Sequence, residues 1–236
     1  MTVHTLTIDG RQVAGTVGQS ILAVATENGV RIPTLCHLDG LSDVGACRLC
    51  LVEVAGSSRP RLACMTAAED GMHVTAHNET LEQWRATVIE MLFLERNHIC
   101  AVCVANRHCE LQDLAVEHGV THFELPAVYP DLDVDASHRL FAVDHNRCVL
   151  CTRCVRVCDE IEGAHTWDVM GRGLAARVVT DLGSAWGDST TCTSCGKCVQ
   201  VCPTGALFEK GRSVGEGSKE RRPFLPYLRI ARDDHR

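Results

Sequence analysis

Two cysteine runs in the C-terminal half of the chain decide its fold: residues 148–158 read CVLCTRCVRVC, and residues 192–203 read CTSCGKCVQVCP. Both runs follow the spacing C-x2-C-x2-C-x3-C. Each position of the second run lies 44 residues after its counterpart in the first, as Cys192 does after Cys148. This constant offset indicates an internal duplication. Eight thiols repeated at metal-ligand spacing predict a pair of metal clusters.

The spacing resembles that of the bacterial two-cluster ferredoxins, which bind two 4Fe-4S cubanes. In that family the fourth cysteine of each run ligates the cluster built by the other run. The first ligand set that the resemblance implies is Cys148, Cys151, Cys154 and Cys202. The second implied set is Cys192, Cys195, Cys198 and Cys158. Asp159 stands where the second run has Pro203, and this departure leaves the ligands intact. Zinc is the disfavoured alternative for this pair.

Composition supports a metal-ordered protein. The chain has 236 residues and 45% apolar content, but only 4% of its residues are aromatic and fifteen are cysteines. The first residues, MTVHTLTIDG, lack the pattern of a signal peptide, and no apolar stretch approaches the length of a membrane span. We therefore expect a cytoplasmic, reducing environment without membrane insertion, where clustered cysteines bind metals rather than form disulfides. The net charge of -7 argues against nucleic-acid binding.

An N-terminal group of four cysteines lies in a region with a strand pattern. Residues 3–8 alternate, Asp9-Gly10 signals a hairpin turn, and residues 11–17 continue as a second strand. Residues 20–29 predict a helix that ends at glycine, and residues 51–54 predict another strand. The four cysteines, spaced C-x10-C-x2-C-x13-C, are Cys36, Cys47, Cys50 and Cys64.

This order of elements is typical of a β-grasp ferredoxin domain, whose four thiolates bind one 2Fe-2S cluster. The spacing differs from the plant-type C-x4-C pattern. It resembles the N-terminal domain of the large iron-sulfur subunit of respiratory complex I, of iron-only hydrogenases, and of the small diaphorase subunit of NAD-reducing hydrogenases. A zinc site is the alternative, but zinc thiolates usually come as two tight pairs.

A third group has only three thiols, in the segment RNHICAVCVANRHCELQ. These are Cys100, Cys103 and Cys109. The families just named supply the fourth ligand of a 4Fe-4S cluster from a histidine, usually four residues before the first cysteine. That position is Arg96 here, which has no lone pair for a metal. We assign His98 as the replacement ligand. His108 is a competitor, and a solvated, non-ligating His98 is the remaining alternative.

A linker helix connects the first two cysteine regions. Leu81, Trp84, Val88 and Leu92 recur at helical spacing and predict a face in a core or an interface. The helix is expected to start near Asn78 or Thr80, with Gln83 completing a capping box for Thr80.

The predicted fold class is α+β, in four parts. A β-grasp 2Fe-2S ferredoxin domain spans 1–78. A linker helix and a small 4Fe-4S domain, with one histidine and three cysteines as ligands, span 79–140. A two-cluster 4Fe-4S ferredoxin domain spans 141–210, and an extended C-terminal arm spans 211–236.

Catalytic motifs are missing from the sequence. Gly171, Gly173 and Ala176 match the letters of a dinucleotide fingerprint, but the segment between Cys158 and Cys192 has no room for a βαβ unit. All fifteen cysteines are used by one 2Fe-2S and three 4Fe-4S clusters, so none remains for a nucleophile. The sequence therefore predicts a non-catalytic electron-transfer subunit.

The resemblance and the chain length together favour the small iron-sulfur subunit of a cytoplasmic NAD-reducing nickel-iron hydrogenase. The implied partners are a flavin- and NAD-binding diaphorase subunit and the hydrogenase small and large subunits. Two alternatives stay open. One is the equivalent relay subunit of an NAD-dependent formate dehydrogenase or a complex I-like assembly, and the other is a free ferredoxin-like carrier.

Overall fold

The computed structural model describes residues 3–130, 132–213 and 215. They form an α+β fold, as predicted, in two compact units: residues 3–37 with 43–89, and residues 38–42 with the described residues from 90 onward. The strands are β1 (Val3–Ile8), β2 (Arg11–Thr16), β3 (Leu51–Val54), β4 (Arg61–Leu62), β5 (His73–Thr75), β6 (Val134–Asp135), β7 (Phe141–Asp144), β8 (Trp167–Met170), β9 (Arg177–Thr180) and β10 (Leu207–Glu209). The α-helices are α1 (Ile21–Glu27), α2 (Glu79–Leu94), α3 (Glu110–Glu117), α4 (Arg153–Arg156) and α5 (Lys197–Val201).

The first unit is built on a five-stranded sheet with the order β2-β1-β5-β3-β4. β1 and β2 form the predicted hairpin, in which Asp9 and Gly10 both have positive φ, 49° and 77°. Two successive positive φ values suit the type I′ turn that matches strand twist. β1 pairs with β5 in parallel, whereas the other pairs are antiparallel. Strand residues such as Leu6, Ile8 and Val74 pack with α1 into one apolar core.

The helix predicted at 20–29 is confirmed as α1, and its ends follow from local chemistry. The Ser20 hydroxyl accepts a hydrogen bond of 3.2 Å from the Ala23 amide, which satisfies a free donor of the first turn. Asn28 ends the helix, and Gly29 follows with a φ of +72°. Glycine adopts this left-handed conformation without steric cost, so the chain can turn toward the cysteine loop.

α2 differs from the prediction in its cap and in its buried face. The helix begins at Glu79, and Asn78 caps it by accepting a hydrogen bond of 2.8 Å from the Leu81 amide, so the Thr80–Gln83 capping box is wrong. On the predicted apolar face Leu81 is buried, Val88 and Leu92 are half-buried and Trp84 is 39% exposed, so this face is not part of a continuous core, and the interface alternative stays a prediction. The buried face of α2 instead follows a four-residue spacing and carries Leu81, Arg85, Ile89 and Phe93.

The second unit contains two small sheets. Strands β10, β7 and β6 form one in that order, and β8 pairs with β9 in the other. The connection from β8 to β9 holds Gly171, whose φ is +80° and where a Cβ atom would lie 2.6 Å from the Ala175 carbonyl oxygen. This segment is an antiparallel hairpin, whereas a dinucleotide-binding unit is built from parallel strands joined by a helix.

Two further predictions concern the C-terminal arm and membrane insertion. Of the predicted C-terminal arm at 211–236, only 211–213 and 215 belong to the described residues. Within residues 3–130, 132–213 and 215, none of the helices combines the length and apolar character needed to cross a membrane.

Candidate iron-sulfur sites

The four N-terminal cysteines are all buried and lie on the loops around β3 and β4. Cys36, Cys47 and Cys50 occupy the long connection from α1 to β3, and Cys64 follows β4. The Sγ atoms of Cys50 and Cys64 are 3.4 Å apart, and the Leu35 amide donates to Cys47 Sγ over 3.3 Å. The structure thus brings two of the thiols into contact and places a backbone N–H donor at the sulfur of a third. Hydrogen bonds of this kind orient and stabilise the sulfur ligands of a cluster.

Hydrogen bonds between these thiols shift their acidity. A bond to Cys36 raises the pKa of Cys47, and burial raises it further. The bond between Cys50 and Cys64 lowers the pKa of Cys50 and raises the pKa of Cys64. A bound metal deprotonates its cysteine ligands outright, so metal cations at this site would hold the four sulfurs as thiolates.

Arg85 positions this loop, and the sequence-based prediction did not include it. The side chain is fully buried, yet its guanidinium donates to the carbonyl oxygens of Leu49 (3.3 Å), Leu51 (2.9 Å) and Ala76 (2.7 Å). It also pairs with Glu82 at 2.5 Å. Arg85 thereby ties Leu49, which lies between Cys47 and Cys50, to helix α2. In the sequence, Arg85 lies four residues from both Leu81 and Ile89, which places it on the same helix face as these apolar residues.

The three-thiol group surrounds a small cavity. His98 lines the same cavity, together with Cys100, Cys103 and Cys109. His98 Nε2 is buried, and no hydrogen-bond partner for it exists within the part of the chain that the structure describes. An orphaned imidazole nitrogen among three thiols fits a metal ligand, since a buried polar atom is otherwise costly. Burial, followed by the charges of Arg147 and Arg96, lowers the pKa of His98 to about 4.

The two rival positions have different surroundings. His108 is absent from the residues that line this cavity, and its Nε2 lies against Gly215, where a Cβ atom would approach to 2.7 Å. Arg96 is 2% exposed and donates to the carbonyl oxygens of Leu174 (3.0 Å) and Ala176 (2.7 Å). The arginine in the usual histidine position therefore anchors the hairpin turn that precedes β9.

The duplicated runs enclose two further small cavities. The thiols that line the first cavity are Cys148, Cys151, Cys154 and Cys202. The thiols that line the second cavity are Cys158, Cys192, Cys195 and Cys198. Each cavity thus receives three cysteines from one run and the fourth from the other. Among the described residues, no group of three or more His, Cys, Asp or Glu side chains is placed to hold a single metal ion.

Most of these thiols are buried, whereas Cys192 is half-buried and Cys195 is exposed. Burial raises the pKa of Cys148 to about 12 and that of Cys151 to about 11, although Arg153 and Arg156 act in the opposite direction on Cys151. Thiolates in such cavities need metal cations to balance their charge. Hydrogen-bond donors already point at two sulfurs: the Leu150 amide lies 3.4 Å from Cys148 Sγ, and the Trp186 indole nitrogen lies 3.3 Å from Cys192 Sγ.

Three protein families match successive parts of the chain. Residues 2–79 match a 2Fe-2S iron-sulfur cluster binding domain. Residues 85–124 match the NADH-ubiquinone oxidoreductase-G iron-sulfur binding region, and residues 139–208 match the ferredoxin-like domain of NADH-quinone oxidoreductase subunit 3. The chain therefore carries both 2Fe-2S and 4Fe-4S binding domains.

Two relatives match the chain almost end to end. The gamma subunit of the NAD-reducing hydrogenase HoxS of Cupriavidus necator is 32% identical over 206 residues, covering 87% of this chain and 86% of that subunit. The chain belongs to the family of this gamma subunit. A crystal structure of NAD+-reducing NiFe-hydrogenase in the H2-reduced state contains a chain with the same fold, at a TM-score of 0.84 and 35% identity. That match covers 97% of this chain and 98% of the other.

Larger proteins contain the same array as one part. The alpha subunit of the NADPH-Fe(3+) oxidoreductase of Geobacter sulfurreducens is 38% identical over 205 residues, covering 87% of this chain. The HndD subunit of the NADP-reducing hydrogenase of Solidesulfovibrio fructosivorans is 35% identical over 219 residues, covering 89% of this chain. The chain spans 24% of the length of the first relative and 36% of the second. The gamma-subunit family therefore shares its iron-sulfur region with longer oxidoreductase subunits.

Proposed function

We propose that this chain relays electrons through one 2Fe-2S and three 4Fe-4S clusters between a flavin- and NAD-binding diaphorase subunit and a nickel-iron hydrogenase. The observation that carries the proposal is the exchange of Cys158 and Cys202 between the two ferredoxin-like cavities. Ligation crossed between the two runs is characteristic of the two-cluster ferredoxins, whereas a catalytic thiol site does not require it.

We assign the ligands to four sites along the three proposed cluster-binding domains, 1–78, 79–140 and 141–210. The 2Fe-2S site uses Cys36, Cys47, Cys50 and Cys64. The histidine-assisted cubane uses His98, Cys100, Cys103 and Cys109. The paired cubanes use Cys148, Cys151, Cys154 and Cys202 in one case, and Cys158, Cys192, Cys195 and Cys198 in the other. The burial of the N-terminal thiols, the three cysteine-lined cavities and the orphaned His98 nitrogen support this assignment.

Iron-sulfur clusters, when bound, supply one-electron carriers, and the residues of the chain place and tune them. The thiols of the N-terminal site and of the cavity lined by Cys148, Cys151, Cys154 and Cys202 are all buried, which limits the access of water to these two sites. Amide and indole donors on Cys47, Cys148 and Cys192 stabilise negative charge on sulfur. A neutral imidazole in place of a fourth thiolate makes one site less negative, which favours its reduction. The assignment leaves no cysteine for substrate chemistry, so we place catalysis in the partner subunits.

The choice of partners rests on the near-complete coverage of the HoxS gamma subunit and of a chain of the NAD+-reducing NiFe-hydrogenase. We accordingly place the hydrogenase small and large subunits on one side of the relay, in the cytoplasm. The higher identity to the alpha subunit of the NADPH-Fe(3+) oxidoreductase supports a second candidate, a relay in another pyridine-nucleotide oxidoreductase. This candidate includes the complex I-like assembly and the NAD-dependent formate dehydrogenase.

Purification of the tagged chain from its own host under exclusion of oxygen tests both parts of the proposal. We expect about fourteen irons per chain, two in the first site and four in each cubane, with acid-labile sulfide and almost no zinc. Mass spectrometry of the co-purifying chains should identify a flavin subunit and nickel-iron hydrogenase subunits. Stoichiometric zinc with little iron would refute the cluster assignment. A different catalytic partner would support the second candidate, and a monodisperse chain without partners would support a free carrier.

A further inference from the structure

Trp186 donates a hydrogen bond to a proposed cluster ligand. The residue is 1% exposed, and its indole Nε1 lies 3.3 Å from Cys192 Sγ. The indole N–H is a donor only, so the direction of this bond is unambiguous, unlike that of a bond from a histidine or a hydroxyl. The distance suits an N–H···S contact. Trp186 therefore directs the positive end of an N–H dipole at the sulfur of Cys192.

The indole is held in place by an aromatic stack. The rings of His138 and Phe141 stack against Trp186 at centroid distances of 4.9 and 5.7 Å, and Trp167 meets its ring edge-on at 4.8 Å. The Trp186 amide donates to Asp135 Oδ2 at 2.7 Å, which fixes the backbone as well. A side chain with this many ring contacts has little rotamer freedom, so its N–H direction is set in advance.

The internal duplication provides a comparison within the same molecule. The offset of 44 residues that relates Cys192 to Cys148 relates Trp186 to Ala142, whose methyl group cannot donate a hydrogen bond. Cys148 Sγ receives its hydrogen bond from the backbone amide of Leu150, over 3.4 Å. The second run therefore has an indole donor that the first run lacks. Trp186 itself lies outside the C-x2-C-x2-C-x3-C pattern.

A donor on a ligand sulfur affects the two oxidation states unequally. Reduction adds one electron to a cubane and increases the negative charge on its thiolate ligands. A fixed N–H dipole stabilises the more negative state more strongly, and the buried, low-dielectric surroundings of Trp186 strengthen the effect. Hydrogen bonds to sulfur are among the factors that set iron-sulfur potentials.

We propose that Trp186 acts through Cys192 as a positioning residue that raises the reduction potential of the cubane held by Cys158, Cys192, Cys195 and Cys198. The inference rests on the proposed function, because it requires a 4Fe-4S cluster in that cavity. It assigns a task to a residue outside the cysteine motifs and makes the two duplicated sites unequal as electron carriers.

Redox titration monitored by electron paramagnetic resonance tests this on the full chain, purified with its clusters. The signal of this cubane is assigned by its change in Cys195→Ser. In Trp186→Phe we expect its midpoint to shift to a more negative potential, while the midpoints of the other clusters stay in place. His138→Leu is the matched control, because it disturbs the same stack, keeps the indole N–H and changes a residue outside the lining of this cavity. An unchanged midpoint in Trp186→Phe, or an equal shift in the control, would overturn the inference.

Site-specific replacement of Trp186 by 3-benzothienylalanine separates the donor from the packing. This analogue keeps the size of the bicyclic ring and has sulfur in place of N–H. A negative shift in the analogue-containing chain supports tuning by the N–H group. Loss of the cluster in both the phenylalanine and the analogue chain refutes it, since Trp186 would then be required for cluster retention. A wild-type chain without this cubane signal refutes the proposed function instead.

Discussion

Arg153 and Glu110 form a two-pronged ion pair, with Nη1 3.0 Å from Oε1 and Nη2 2.9 Å from Oε2. Arg153 lies on α4 between two proposed ligands of the first cubane, and Glu110 follows Cys109 at the start of α3. The Glu110 amide also donates to the Pro203 carbonyl, next to Cys202. One carboxylate-bearing residue thus joins the histidine-assisted site to both ferredoxin-like runs.

Replacement of Arg153 by alanine should destabilise the second unit. The arginine is 3% exposed, whereas Glu110 is 29% exposed and can be partly rehydrated. We therefore expect the free energy of unfolding to fall by an amount on the order of 1–3 kcal/mol. Thermal unfolding of the cluster-loaded chain measures this effect. Arg172→Ala, at an exposed position of the β8–β9 connection, is the control and should leave the melting temperature in place. Equal melting temperatures for both variants would show that the pair contributes nothing.

His98 should be the fourth ligand of its cubane. Substitution by cysteine should keep a 4Fe-4S cluster and lower its potential, because an anionic thiolate replaces a neutral imidazole. Alanine should instead give a labile cluster that loses one iron, since three thiolates remain. Spectroscopy that resolves this site from the other cubanes checks both outcomes. His108→Ala is the matched control and should behave like the wild type. If the signal were unchanged in both His98 variants, the ligand would have to be sought elsewhere.

Gly205→Ala should disturb the histidine-assisted site, because Gly205 lines the same cavity as His98. A Cβ atom on Gly205 would lie 2.5 Å from Cys103 Sγ, which forces a shift, and 3.2 Å from Ala105 Cβ, which is a tight contact. We expect the variant to lose or weaken the histidine-assisted cluster while the 2Fe-2S signal persists. Iron content and site-resolved spectra measure this. A full complement of clusters with unaltered spectra would show that the cavity can absorb the added methyl group.

Crossed ligation predicts which cysteine variants resemble each other. Cys202→Ser should alter the same cubane signal as Cys151→Ser, although Cys202 belongs to the other run. Cys158→Ser should alter the same signal as Cys195→Ser. The reason is that each fourth thiol lines the cavity of the opposite run. Comparison of the four spectra decides the question, and a pairing of Cys202 with Cys195 would contradict the arrangement.

Removal of iron should unfold residues 141–210 before the N-terminal domain. The core of the second unit includes ligand cysteines such as Cys148, Cys158 and Cys202, so its folding free energy depends on metal binding. The N-terminal core rests largely on aliphatic residues such as Leu6 and Ile8, together with Cys50 and Cys64. Amide hydrogen exchange on cluster-free protein checks this order. Native-like protection across 141–210 without iron would argue against it.

Much of the site was predictable because metal ligation imposes a short, local spacing on the chain. The two C-x2-C-x2-C-x3-C runs indicate a pair of cubanes, and their resemblance to the two-cluster ferredoxins implies crossed ligation. The β1–β2 hairpin follows from Asp9-Gly10. Periodicity was less reliable for α2. A buried Arg85 replaced an apolar residue on its inner face because three backbone carbonyls satisfy the guanidinium.

The sequence by itself determined the cysteine groups, the chemical type of metal centre that suits them, and the resemblance to a relay subunit, since these depend on residues close together in the chain. The tertiary structure decided what depends on distant residues. It turned His98 and not His108 toward three thiols, gave Arg96 the carbonyls of a hairpin turn as partners, and brought Trp186 to Cys192. Such contacts arise when separate elements pack, because burial and hydrogen-bond direction act through space, and no spacing along the chain encodes them.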